Sequence, residues 1–390
     1  MRRRIGLGLS VLFLGYEVLS VGLAGALAER GAFAPALAIR PDLASVASGR
    51  AEAALAAGDP VAADSFARAA LAQSPQDARA LRIIGLAAEA RGRIDAADAA
   101  MSLGARLGWH DTATQQWLFK QGLLRADFVT AAQSGDALAR MDRMRPQTFQ
   151  LFWLMASQTQ GSAALAGRLE EEPNWRPAFL LSAGQYLRGA QGTATMQTLL
   201  AAMRRSTHPA TTAELGAYFD AAVRRGEIAQ AYSIWHALAA PHGLLYDGGF
   251  DRFAAQGDGN QPIPFEWQPG GGAMTVTAGS DPANPALEVD SHGQGGIAVS
   301  QTVMLAPGAY RLTARMGAPP GAAGDAFDWV VKCLPGRTDV GVAPARRGGV
   351  DFDVPATGCP AQSVVLRVAR VGAIGGDTPV RFDDAAIALR

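Results

Sequence analysis

Residues 80–109 read ALRIIGLAAEARGRIDAADAAMSLGARLGW, and the spacing inside this stretch decides the helical half of the chain. Leu81, Ile84, Gly85 and Ala88 recur at the three-to-four-residue interval of one helix face. Gly85 and Ala88 keep that face shallow, so a second helix can approach closely. Gly92 then ends the first helix, because a residue without Cβ adopts positive φ at little cost. Ala97, five residues on, packs back at the tightest point of a hairpin. At an offset of 34, Ala53, Ala54, Gly58, Ala62, Ala63 and Asp64 fall on Ala87, Ala88, Gly92, Ala96, Ala97 and Asp98. Chance accounts for some alanine matches in an alanine-rich chain, but less readily for Gly and Asp. Pro75 closes the earlier unit, as a residue that cannot continue a helix.

This pattern resembles the tetratricopeptide repeat, whose consensus order Leu81, Ile84-Gly85, Ala88, Gly92 and Ala97 follow. Residues 50–75 match through Ala54, Gly58, Ala63, Ala70 and Pro75, and residues 215–240 through Ala222, Gly226, Ala231 and the bulky Trp235. Between them, residues 117–146 and 149–168 read as hairpins of suitable length without the Gly/Ala punctuation. Residues 170–177 read as a helix end and loop before a further pair near 178–189 and 195–205. The region 44–240 thus accommodates about five or six hairpins. The resemblance implies an α-solenoid whose concave groove binds a protein partner. Trp109, Trp117, Trp153, Trp175 and Trp235 are candidates for that groove, with interhelix core as the plainer fate of each.

The 390 residues carry 35 basic and 35 acidic side chains, so a nucleic-acid partner, which calls for a basic excess, is not expected. The length suits two or three domains. Ahead of the repeats, Arg2, Arg3 and Arg4 precede a mostly apolar run over residues 5–28. The run exceeds the roughly 20 residues a spanning helix needs. A transmembrane anchor over 1–28 is expected, followed by a linker over 29–43, with the N-terminus cytoplasmic and the bulk of the chain on the periplasmic side. Ala26-Leu27-Ala28 offers a small-x-small cleavage site, which would make the segment a signal and the protein secreted. Glu17 sits mid-span, where an ionised group costs on the order of 3 kcal/mol, and is a candidate for pairing with another intramembrane helix.

Beyond Pro241 glycine and proline become frequent and the apolar period shortens to two. Tyr310, Leu312, Ala314 and Met316 share one strand face, with Arg311, Thr313 and Arg315 on the other. Residues 297–305, 327–333 and 364–368 alternate comparably, and Pro307-Gly308 reads as a turn. About eight such strands over 241–390 suit an antiparallel β-sandwich. Three segments here resemble, in order, carbohydrate-binding modules of the family 4/9 type. They are Leu244–Asp251 with Pro264-Phe265-Glu266-Trp267, then Ala306–Leu312, then Arg381–Leu389. That resemblance implies a jelly roll, polysaccharide binding, and a structural calcium ion held by Asp251 and Asp384, whose oxygen ligands suit a hard cation.

A sugar platform needs exposed aromatic rings. Trp267 and Trp329 are the two tryptophans of this half and hence the ligand-binding candidates. Alternation nevertheless places Phe265 beside Trp267, and Phe327, Val331 and Cys333 on the face of Trp329, which is the signature of a core. Asp325, Asp328, Arg346, Arg347 and Gln294 are further polar candidates. Cys333 and Cys359, the only cysteines, are expected to form a disulfide in an exported chain.

Nucleophile elbows, phosphate loops and zinc-protease motifs are absent from the sequence. The five histidines are scattered, Asp351 and Asp353 read as a solvent-facing alternation, and Gly270-Gly271-Gly272 as a turn. No catalytic residue is nominated. The expectation is a non-catalytic scaffold or adaptor in exopolysaccharide assembly or export. A glycan-acting enzyme with a targeting module, or a pure protein–protein module, stand as alternatives.

Overall fold

The computed structural model describes residues 2–390 except 143, 256–262, 271–273, 280–285, 293–294, 319–323 and 370–378, with backbone alone for residues 2–12, 254–255, 278 and 324. A helical region is followed by a β domain of two antiparallel sheets. By compactness the chain divides into two units, Met1–Met155 and Ala156–Arg390.

The first unit opens with α1 (Arg2–Glu29), α2 (Phe33–Ile39) and α3 (Ala44–Ala56). It continues through α4 (Pro60–Gln73), α5 (Ala78–Ala90) and α6 (Ile94–Leu107) to α7 (Thr112–Leu124), α8 (Phe128–Arg140) and α9 (Arg145–Ala156). Helices α3 and α4, α5 and α6, and α7 and α8 pack as hairpins. Asp59, Asp77 and Asp127 cap α4, α5 and α8 by accepting backbone N–H bonds, each cap being worth about 1 kcal/mol. The hairpin turns need one residue with positive φ. Gly58 (80°) and Gly92 (72°) supply it in the first two, and Ala126 (55°), a further 34 residues on, supplies it in the third. The repeat therefore continues in register without its glycine. Buried alanines from α3, α4 and α5 (Ala51, Ala63, Ala67, Ala80, Ala87) form the shared core, which is how small side chains bring these helices together.

The expected N-terminal transmembrane helix is corrected by the structure. Among the described residues no helix is long and apolar enough to cross a membrane. Within the part of α1 whose side chains are described, from residue 13 on, Gly15, Ser20, Gly22 and Gly25 interrupt the apolar run and Glu17 adds a carboxyl group. Glu17 has a partner within the chain. It accepts a bond from Arg40 at the end of α2 (2.5 Å), where Arg40 also pairs with Asp42 (2.8 Å) and donates to Ser20 Oγ (3.3 Å). Ala24, Ala36 and Val46 form a buried cluster against which Leu27 and Ala28 pack, so the small-x-small segment belongs to a helix–helix contact.

The second unit contains α10 (Thr159–Leu169), α11 (Arg176–Tyr186), α12 (Gly189–Met203), α13 (Gly216–Arg224), α14 (Ile228–Ala239) and the short α15 (Asp251–Ala255). Gly226, at φ 81°, makes the α13–α14 turn. Arg176 at the start of α11 is buried and holds the segment before α13. Its guanidinium donates to both Glu214 oxygens (2.8 and 3.0 Å) and to the carbonyls of Leu169, His208 and Pro209.

The strands are β1 (Gln268–Pro269), β2 (Thr275–Ala278), β3 (Leu287–Asp290), β4 (Gly296–Val303) and β5 (Gly308–Gly317), then β6 (Phe327–Leu334), β7 (Asp339–Pro344), β8 (Gly349–Val354), β9 (Ala361–Val368) and β10 (Val380–Leu389). One sheet runs β1-β4-β9-β6-β7 and the other β2-β3-β10-β5-β8. In β5, Tyr310, Leu312 and Ala314 face inward while Arg311, Thr313 and Arg315 face out, as the alternation requires. The sheets enclose one core, with Trp329, Val331, Val364 and Leu366 from the first facing Leu312, Phe352, Phe382 and Ile387 from the second. Two buried glutamines complete what strand pairing leaves open. Gln301 bonds both N–H and C=O of Tyr246 (3.0 and 2.9 Å), and Gln362 bonds Leu305 N–H and Cys359 C=O (2.9 and 3.0 Å). Cys333 and Cys359 form the expected disulfide.

Candidate functional site

Of the seven tryptophans, six are buried: Trp117, Trp153, Trp175 and Trp235 among helices, and Trp267 and Trp329 inside the sandwich. Trp267 packs on Phe250 (centroids 5.1 Å apart), with Trp329 at 6.2 Å, and donates its indole N–H to the Asp247 carbonyl (3.0 Å). Each ring is 1% exposed, so neither presents a face on which a sugar could stack. Phe265 does not share their surroundings. Residues 264–266 form a turn that sends Phe265 toward Trp235 and Tyr232 of α14 while Trp267 enters the sandwich.

Asp251 begins α15, whereas Asp384 projects from an irregularity of β10 and pairs with Arg315. Among the described residues no group of three or more His, Cys, Asp or Glu side chains is placed to hold a metal ion. Asp325 pairs with Arg346 (2.8 Å) and Asp328 with Arg367 (3.4 Å). Gln294, Gly271 and Gly272 lie outside the described residues. Asp351 pairs with Arg311 and Arg390, as a solvated strand face does.

Trp109, the remaining tryptophan, is 44% exposed. It stands in the short connection between α6 and α7, where Gly108 ends α6 and Asp111 precedes α7. His110 packs against it with ring centroids 3.8 Å apart. Both rings line an open groove of about 840 Å³ together with Glu52 of α3, Arg82 and Leu86 of α5, Asp111, and Arg140 and Met141 at the end of α8. The repeat places these residues. Helices α3, α5 and α7 are equivalent members of successive hairpins, so side chains one unit apart meet across them.

Arg82 is the centre of this ladder. It donates to Glu52 Oε1 on one side and to Asp111 Oδ1 on the other, each at 2.8 Å. Asp111 Oδ2 accepts from Thr114 (2.8 Å), Glu52 also pairs with Arg79, and Arg140 is held by Asp136 at 2.8 and 3.0 Å. Positive and negative groups therefore alternate along the groove and each is already paired. Such a surface has no net field with which to select an ion, yet it offers donors and acceptors side by side around an exposed indole.

A second cleft of about 800 Å³ runs between α10 and α12, but its floor is alanine methyls (Ala163, Ala166, Ala194, Ala201) and it holds no aromatic ring. Two carboxyl groups of the second unit, the buried Glu266 and the half-buried Asp247, were not singled out in the sequence. Burial pushes Glu266 above the usual carboxylate range, against the stabilising bonds from Trp235 Nε1–H (3.2 Å) and Thr212. Burial likewise pushes Asp247 up, helped by the neighbouring Asp251 charge, although Arg252 and Phe253 N–H groups bond to it. Polar residues between aromatic ones were the available signal for Glu266. Comparison with known proteins finds no family model that matches this chain and no curated protein that matches it.

Proposed function

We propose that this chain is a non-catalytic, exported adaptor built of tetratricopeptide-like helical hairpins and a sandwich resembling a carbohydrate-binding module, serving polysaccharide assembly or export by holding a ligand in the Trp109 groove. The observation that carries the reading is the exposure of Trp109 while every other tryptophan of the chain is buried. Large aromatic side chains left in water beside ordered polar groups are the usual anchors of binding surfaces. The disulfide between Cys333 and Cys359 favours an oxidising compartment. Because Trp267 and Trp329 are core residues, the reading assigns ligand contact to the helices and a structural role to those two rings.

The test compares the oxidised full chain with Trp109→Ala, whose folding is checked by circular dichroism, as baits for an envelope fraction containing both protein and polysaccharide. A component retained about tenfold less by the variant, which corresponds to about 1.4 kcal/mol, supports the reading. Equal retention by both baits, or turnover of a retained glycan, overturns it.

A further inference from the structure

We infer that the Trp109 groove takes an uncharged pyranose unit of a glycan, an assignment that rests on the adaptor reading above and names its ligand. Three observations carry it. First, the indole lines the groove together with Leu86 and, although His110 packs on it (centroids 3.8 Å apart), stays 44% exposed, so its exposed part gives a flat apolar surface matching the C–H face of a sugar ring. Second, Arg82 lies between Glu52 and Asp111, each 2.8 Å away, which makes two adjacent donor–acceptor pairs. A vicinal diol fits such a pair: one hydroxyl accepts from the guanidinium while its neighbour donates to the carboxylate, whose oxygens have lone pairs to spare. Third, the charges along the groove cancel, so an anionic ligand would face Glu52 and Asp111, and a cationic one would have to displace Arg82. Neutral hydroxyls need do neither.

An extended peptide is the competing occupant. Its main chain is best held by side-chain amides, which donate and accept from one planar group, and among the described residues that line this groove none is Asn or Gln. The assignment moves sugar recognition from the sandwich to the helices, and it accounts for an exposed indole whose charged neighbours are already paired.

The experiment titrates the oxidised full chain with an array of neutral oligosaccharides of gluco, galacto and manno configuration, with oligogalacturonate as the charged control and a displayed peptide library as the competing class. The readout is isothermal titration calorimetry, which measures wild type, Trp109→Phe and Trp109→Ala alike, and the fluorescence of wild type minus that of Trp109→Phe shows whether the exposed indole itself is contacted. The expected result is saturable binding of a neutral oligosaccharide with Kd of about 1 mM or below. Binding weakens about tenfold in Trp109→Ala, less in Trp109→Phe, and is insensitive to salt. Trp109-dependent selection of peptides with no response to any neutral sugar overturns the pyranose assignment and leaves the adaptor reading standing. Preference for oligogalacturonate overturns the neutral class in the same way. Absence of any Trp109-dependent ligand, from a variant pair with unchanged thermal unfolding, overturns both.

Discussion

Glu266 sits between Phe265 and Trp267, and its environment follows from those neighbours. Phe265 turns to the helices, Trp267 to the sandwich, and the carboxyl between them is carried into the space beneath Trp235, where it is 7% exposed. Desolvation raises it despite the indole N–H that it accepts. A carboxyl raised in the folded state keeps its full contribution below the unfolded value and loses it as pH climbs through the folded one. Glu266→Gln retains an acceptor for Trp235 and removes the charge. It should therefore raise the melting temperature at about pH 7 and leave it little changed near about pH 4, as thermal unfolding across that range will report. Glu266→Ala should instead destabilise at every pH by about 1–3 kcal/mol, because the buried Trp235 N–H then loses its acceptor. In the sequence this residue had no periodicity to mark it. Alternation assigned Phe265 and Trp267 to a common face, and a turn at 264–266 separates them.

Turns tell the same story among the helices. Gly58 and Gly92 were legible because glycine advertises positive φ, and residues 117–146 looked degraded because their turn residue is Ala126. The backbone requirement persists without its emblem, since Asp127 caps the next helix just as Asp59 caps α4. A left-handed alanine costs about 1–2 kcal/mol. Ala126→Gly should therefore stabilise the first unit by about 1 kcal/mol after allowance for the greater freedom of glycine in the unfolded chain, measured as a shift of the urea midpoint at unchanged slope. Strand positions were easier to read, because alternation in β5 and β8 states burial directly. What alternation could not supply is the role of the buried face. The same pattern that nominated Trp267 and Trp329 as a platform also describes a core, and packing against Phe250 and Phe382 decides for core. Trp109 shows the converse, a loop residue whose groove is assembled from helices more than fifty residues apart and so has no local signature.

At the scale of the molecule, composition changes sharply after Pro241, and this marks the switch from helix to strand rather than the limit of a compact unit. The second unit begins at Ala156 and holds helices and sandwich together. Tyr232 and Trp235 of α14 and Phe219 of α13 surround Phe265, and Tyr246 closes on Trp235 at 5.2 Å. Val330 and Val365 point away from the sandwich core and are nonetheless buried, so this side of the sheet is covered. The disulfide closes a 26-residue separation wholly within this unit. Its loss should cost about 3.5 kcal/mol in the chain-entropy estimate. Calorimetry of the oxidised chain and of Cys333→Ser/Cys359→Ser should show the transition of the second unit lowered, with that of the first unchanged.

The aromatic cluster around Phe265 also decides how this protein can be taken apart. A fragment starting at residue 241 would keep Tyr246, Phe265 and Glu266 while discarding Trp235, Tyr232 and Phe219, leaving a sticky, acid-bearing scar on one sheet. A fragment starting at Ala156 keeps every partner. The sandwich is thus not a portable cassette that can be grafted onto another chain; the transferable cartridge is the β domain with the five helices that precede it.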